Sequence, residues 1–191
     1  MKHLLSLVLL FFSVGLWAQT PPVQTVDYVD LDRYLGTWYE VASIPQSFQK
    51  KCVKNSQAVY SRVTDTRIKV VNSCRTKSGK TDVATGRAKV VDRDTNAKLR
   101  VTFVKLLYWV FAFGGNYWVI DLAPDYSYAV VGDPKREYAW ILSRSRGISP
   151  ESLATAVESL KANGYDTCKL LTTVQDGGFQ QRKPVCEVAK E

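Results

Sequence analysis

From residue 37 onward the chain is written in short runs in which apolar and polar positions alternate, separated by clusters of turn residues. Successive side chains of a strand point to opposite faces, so this period of two predicts half-buried strands. The runs fall at 37–45, 55–63, 67–75, 82–91, 98–105, 116–122, 126–132 and 137–144. Asp65-Thr66, Ser78-Gly79-Lys80 and Asp94-Thr95-Asn96 break three of the connections. Connections of a few residues force antiparallel neighbours, and eight such strands close on themselves with room for one small ligand. The expected fold class is therefore all-β: an eight-stranded up-and-down antiparallel barrel with one helix outside. That helix is expected at about 149–163, with Ser149 as N-cap, Pro150 at the first position and Gly164 as stop. Leu153, Val157 and Leu160 share the face that would lie on the barrel. Leu170 to Val174 reads as a last edge strand, and 176–191 as a polar tail. Residues 19–29 form a leader, Asp30 to Tyr34 a turn across the barrel floor, and 30–175 the barrel unit.

Two stretches frame the interior. Gly36-Thr37-Trp38-Tyr39-Glu40 opens the first strand, where glycine lets the backbone turn so that the indole is driven inward. A hundred residues later, Trp140-Ile141-Leu142-Ser143-Arg144 ends a strand in an arginine, whose fork over an indole plugs a barrel's narrow end. If Trp38 points in, so do Glu40 and Ala42, and Trp140 and Leu142 share the inward parity of Arg144. Inward Ile68, Val70, Asn72 and Cys74 leave Lys69 and Arg75 in solvent, and inward Leu99, Val101 and Phe103 leave Lys98, Arg100 and Lys105 there. Strand 82–91 contributes Gly86 and Ala88, which make space. Glu40 must be paired or protonated, with Arg144 and floor amides as the expected partners and a structural role. The lining is apolar and aromatic with few polar groups, the composition of a small-molecule site, although a barrel plugged by its own side chains has the same pattern.

The segments Tyr34-Leu35-Gly36-Thr37-Trp38-Tyr39-Glu40-Val41, Asp121-Leu122-Ala123-Pro124-Asp125-Tyr126 and Ala139-Trp140-Ile141-Leu142-Ser143-Arg144 together resemble the three signature segments of the lipocalins. With Tyr117-Trp118-Val119-Ile120 they look most like the branch of bacterial outer-membrane lipocalins and apolipoprotein D, over roughly 34–175. The resemblance implies that Tyr60 and Tyr117 face inward, where parity alone is ambiguous. It also implies a carrier or store for a small hydrophobic ligand, a fatty acid or lysophospholipid. The ligand set is then Tyr60, Val70, Asn72, Val101, Phe103, Tyr117 and Trp140, with headgroup contacts near Asn72, Tyr60 and the basic rim; Gly36, Trp38, Glu40 and Arg144 form a structural floor.

Composition narrows the alternatives. Met1 to Ala18 reads as a secretory signal, and no cysteine precedes Cys52, so an exported, soluble, periplasmic or secreted product without a lipid anchor is expected. The single histidine, His3, lies in that signal, which removes histidine-based catalysis and most zinc sites from the mature chain. No catalytic residue, metal or cofactor is expected. A lipid isomerase or de-epoxidase would have only Cys74 and Glu40 to work with, and a disulfide at Cys74 would silence it. Without Lys2 the 26 basic residues become 25 against 18 acidic, a net charge of about +7. They are scattered and match no nucleic-acid motif, which leaves a solvated surface or attraction to anionic lipid headgroups. Four cysteines in an exported chain argue for two disulfides. A hairpin turning near Thr64-Asp65 puts Cys74 opposite about Asn55, close to Cys52. That favours Cys52–Cys74 with Cys168–Cys186, but members of the resembled family also tie the C-terminal segment to the strands, so the connectivity stays open. The connection Leu106 to Gly115 is unusually greasy. Leu107, Trp109, Phe111 and Phe113 share one parity and, extended, would form a lid, a homodimer contact on an otherwise monomeric protein, or a contact with an anionic membrane.

Overall fold

The computed structural model describes residues 21–189; the expected signal segment 1–18 lies outside the described residues. Eight strands form the wall: β1 (Gly36–Ser43), β2 (Cys52–Thr64), β3 (Arg67–Thr76), β4 (Thr81–Val90), β5 (Lys98–Thr102), β6 (Gly115–Leu122), β7 (Tyr128–Gly132) and β8 (Ala139–Ser143). Each pairs antiparallel with the next, and β1 pairs with both β8 and β2, which closes the barrel. A short β9 (Leu171–Thr172) adds to β1 as a ninth strand. The chain order puts the β2–β3, β4–β5 and β6–β7 turns at one end with α1 (Leu31–Tyr34), and the other connections at the opposite, open end. Asp30 caps α1, its carboxylate accepting from the amides of Asp32 and Arg33.

The pattern of two separates two apolar layers. Inside the barrel lie Trp38, Ala58, Tyr60, Ile68, Val70, Ala88, Leu99, Val119, Val131 and Leu142. Outside, Ile120, Tyr128, Val130, Ala139 and Ile141 meet Leu153, Ala156, Val157 and Leu160 of α2 (Pro150–Ala162). Ser149 Oγ accepts from Ser152 N, so the cap holds the helix start while that apolar stripe covers β6 to β8. Burying each of its larger aliphatic side chains contributes about 1.5–3 kcal/mol.

Irregularities decide where strict alternation fails. Between Glu40 and Ala42 the pairing of β1 with β8 slips by one residue, so Ala42 joins the outer layer with Val41 and is not inward as parity expects. On β2 the register shifts around Asn55, whose φ is +57°, and this bulge brings Cys52 over Cys74. Cys52–Cys74 and Cys168–Cys186 are the two disulfides, with Cα–Cα distances of 5.6 and 4.9 Å. β5 stops at Thr102 and does not reach 105, because Thr102 Oγ1 accepts from Val104 N and bends the chain out of the sheet.

β1 follows β2 only from Gly36 to Tyr39 and then splays away from it. Residues 171–176 fill the resulting wedge. Thr173 N donates to Val41 O on one side and Asn55 N donates to Val174 O on the other. Between them the buried Gln175 Nε2 donates to Glu40 O (3.0 Å) and Ser56 O (2.8 Å), joining the two strands where they no longer reach each other. The segment after 176 is docked as well: Thr172 N donates to Lys183 O, Val185 N to Leu170 O, and α3 (Val185–Val188) carries Cys186.

Candidate functional site: the barrel interior and its two ends

The floor is built around Trp38, which is fully buried. Its indole Nε1 donates to Tyr34 O at 2.8 Å, and the Arg144 guanidinium lies 3.8 Å from its ring centroid. Arg144 also donates to Thr37 O (2.9 Å) and Arg33 O, so one side chain ties α1, β1 and β8 together. Gly36 has φ +94°, and a Cβ there would stand 3.3 Å from Arg144 Nη1, so both backbone and space call for glycine.

Glu40 does not meet Arg144. The guanidinium is occupied by the floor carbonyls, and Glu40 lies further along β1, where the strand leaves β2. Its carboxylate accepts from Ser43 Oγ (3.0 Å), Gln49 Nε2 (2.8 Å) and Thr173 Oγ1 (2.6 Å). The expected pairing with Arg144 and the floor amides is therefore replaced by three neutral donors from the β1–β2 connection, β1 and the C-terminal segment.

The interior joins Tyr60, Val70, Val101, Tyr117 and Trp140 with the core cluster around Trp38. Tyr117 Oη lies 2.8 Å from Tyr34 Oη and 3.1 Å from Tyr60 Oη. Three phenols hold three hydroxyl hydrogens, and two mutual bonds use two of them. One O–H donor is therefore surplus within the cluster, whichever way the hydrogens turn. Burial pushes the Tyr60 phenol up to about 12 and those of Tyr34 and Tyr117 well above the ordinary range, so all three remain protonated donors at neutral pH. Tyr34 belongs to α1, and no strand parity pointed to it; the floor helix delivers it into the interior. Tyr60 pairs with Gly36, the first residue of β1, which places it at the closed end and away from any headgroup site at the rim.

Higher in the barrel the lining is mixed. Asn72, on the alternation that turns Ile68 and Val70 inward, has its Oδ1 buried without a hydrogen-bond partner among the described residues. Phe103 lies just beyond β5, 44% exposed, with its ring where a side chain on Gly86 would stand, 2.8 Å from that Cβ position. The missing side chain on β4 is the space that ring occupies. Trp140 stacks on Tyr138 with centroids 6.1 Å apart, while Trp118 packs with the outer layer under Lys98. The Cys74 sulfur is consumed in the disulfide to Cys52, which removes it as a nucleophile.

The greasy connection is neither extended nor one-sided. Lys105 bridges to Trp109, and Phe111–Phe113 form a 3-10 turn. Trp109 lies under Arg87 and Phe111 under Arg67, while Thr102 Oγ1 donates to Val110 O, so this part doubles back against the outer wall of β3 to β5. Leu106, Leu107, Tyr108 and Phe113 are left 72%, 84%, 77% and 74% exposed. The shared face expected of Leu107, Trp109, Phe111 and Phe113 is thus split, because the arginines hold two of the four aromatic or aliphatic side chains to the barrel.

Comparison with known proteins agrees with this architecture. Residues 29–175 match the model of the lipocalin-like domain. The chain is 34% identical over 170 residues to outer membrane lipoprotein Blc of Escherichia coli K12, covering 87% of this chain and 92% of that one. It is 33% identical over 162 residues to apolipoprotein D of Mus musculus, covering 82% and 81%. In fold it is similar to insecticyanin of the tobacco hornworm Manduca sexta, with a TM-score of 0.65 and 21% identity, covering 87% and 95%. With the closed barrel, the tryptophan–arginine floor and a family match over most of its length, the chain belongs to the lipocalin-like family.

Proposed function

We propose that the barrel interior takes up a small hydrophobic ligand, a fatty acid or a lysophospholipid, and carries or stores it without chemical change. The observation that carries this reading is the interior itself: an aliphatic and aromatic lining, closed at one end, whose deepest polar feature is a phenol cluster with one donor to spare. Each methylene buried there contributes about 0.8 kcal/mol at most, so a long acyl chain reaches micromolar binding after the costs of association. The name of one relative, apolipoprotein D, supports a lipid ligand. Two disulfides support export to an oxidising compartment.

Because Tyr60 is at the floor, the phenols and the rim contact opposite ends of a ligand. A fatty acid that enters carboxyl-first offers its oxygen to the surplus phenolic hydrogen; a lysophospholipid that enters tail-first keeps its head near the rim. Binding of both classes is measured by displacement of an apolar fluorescent probe, with Tyr34→Phe, Tyr60→Phe and Tyr117→Phe combined as the variant, since loss of Tyr117 alone frees the hydroxyls of the other two. Weaker fatty-acid binding with unchanged lysophospholipid binding supports the two orientations. Failure of both ligands to displace the probe rejects the lipid reading.

A second reading concerns the rim. Leu106, Leu107, Tyr108 and Phe113 form an exposed apolar set beside Lys105 and Arg87, and Phe48 in the β1–β2 connection is 59% exposed at the same end. We propose that this end rests on an anionic membrane surface while ligand is exchanged. The protein then sediments with anionic liposomes at low salt, and Leu107→Ser with Phe113→Ser weakens this without unfolding. A wild-type protein that ignores liposomes but self-associates through these residues makes the rim a dimer contact instead.

A further inference from the structure

A cavity of about 90 Å³ lies in the wedge between β1 and β2, and none of the aromatic residues of the barrel interior lines it. Glu40 and Ser43 of β1, Gln49 and Lys50 of the following connection, and Thr173 and Arg182 of the C-terminal segment form its walls. Glu40 is 8% exposed, and a carboxylate out of water is costly unless its charge is compensated. Its three hydrogen bonds come from neutral groups, and it takes part in none of the ion pairs among the described residues. Two exposed cations, Lys50 and Arg182, line the same cavity without closing on it. Gln49 adds a second acceptor: its Nε2 is spent on Glu40, and its Oε1 is buried with no partner among the described residues.

The wall thus has acceptors in excess at Glu40 and Gln49 and positive charge at Lys50 and Arg182. An anion alone is opposed by Glu40. An amine alone is opposed by the two cations. A molecule carrying both charges satisfies both sides, its ammonium hydrogens directed at the carboxylate and at Gln49 Oε1. We propose that this cavity binds a small zwitterion: a primary ammonium joined by a short linker to a phosphate or carboxylate that Lys50 and Arg182 hold. This site is separate from the acyl-chain reading and stands if that reading fails. The same chemistry occurs in free aminophosphates and in the headgroup of an aminophospholipid.

The test is an NMR titration of the oxidised, full-length protein with O-phosphoethanolamine, and in parallel with its 1-acyl lysophospholipid. Saturable shifts of the Gln49 side-chain amide and of Thr173 are expected. Ethyl phosphate and ethanolamine should each bind on the order of tenfold more weakly, the effect of one charge-assisted contact. Arg182→Ala, an exposed position, should weaken O-phosphoethanolamine by about tenfold while leaving thermal unfolding unchanged. Glu40→Gln should erase the preference over ethyl phosphate; because Glu40 also holds Thr173, the Arg182 variant decides the matter if that protein does not fold. Shifts with the free compound assign the site to soluble zwitterions, and shifts only with the acylated one assign it to the headgroup. Ethyl phosphate binding as tightly as O-phosphoethanolamine, an unaffected Arg182→Ala variant, or no saturation with either compound overturns the proposal.

Discussion

Replacing Arg144 by alanine tests whether the floor is scaffold or ligand site. The guanidinium stacks 3.8 Å from the Trp38 ring centroid, a contact that contributes about 1 kcal/mol at a partly exposed position. It also donates to the carbonyls of Thr37 and Arg33. Such bonds from a charged donor contribute about 1.5–3 kcal/mol each when fully buried. Arg144 is only partly buried, so water reaches the vacated carbonyls and the loss falls to roughly half a kcal/mol each. The sum is on the order of 1–3 kcal/mol, which for a domain of this size lowers Tm by about 4–8 °C at the middle of that range. Urea unfolding followed by far-UV circular dichroism should show a lower midpoint with the same slope, since the same surface is exposed. Arg144→Lys keeps the charge but not the planar fork, and should recover less than half of the loss. Probe affinity measured well below the transition should stay within about twofold of wild type, because Arg144 lies behind Trp38 and Tyr34 as seen from the interior. A tenfold loss of affinity at unchanged stability would refute the scaffold assignment.

Three further outcomes are expected. Above pH 10 the unfolded tyrosines ionise while Tyr34, Tyr60 and Tyr117, whose folded values are raised, stay neutral; stability present below that pH is therefore lost as pH climbs from about 10 to 12. Tyr34→Phe should make this alkaline slope shallower by about 1 kcal/mol per pH unit, and an unchanged slope in urea titrations at pH 9 to 11 contradicts the buried assignment. Ligand-induced change in tryptophan emission should fall in Trp140→Phe and persist in Trp118→Phe, since of these two only the first faces the interior; the reverse result inverts the strand parity. Gln175→Ala strands the carbonyls of Glu40 and Ser56 and should cost about 2–4 kcal/mol in chemical denaturation, and a change below 0.5 kcal/mol shows that the β1–β2 wedge does not depend on this bridge.

Alternation made most of the barrel legible. Where a strand is regular, as in β3 with Ile68 and Val70 or β5 with Leu99 and Val101, parity alone sorts interior from exterior. It failed at Ala42, because one bulge resets every residue after it and nothing in the local sequence marks the slip. It failed for the greasy connection, because Arg87 and Arg67 clasp Trp109 and Phe111 from strands that lie far away in sequence. The floor was legible at Trp38 and Arg144, since glycine and arginine have few other reasons to stand there. Tyr34 was not, because a four-residue helix carries no usable period and its side chain acquires meaning only when it meets Tyr117. The Glu40 partners come from Gln49 and Thr173, whose roles depend on where β1 leaves β2.

The wedge has a consequence for how the protein is made. Its keystone is Gln175, bonded to a strand some 135 positions earlier, so the seam waits for residues made long after the strands it joins. Until they arrive, the second half of β1 and the bulged stretch of β2 are bare sheet edges, the kind that recruit other chains. A nascent or truncated chain ending near Asn163 would hold all eight wall strands and α2, yet present that open seam to its neighbours. Yield of folded protein should therefore depend on the segment after Asn163 more than its small share of the core suggests, with the Cys168–Cys186 crosslink acting as the latch that keeps the late-arriving segment in register.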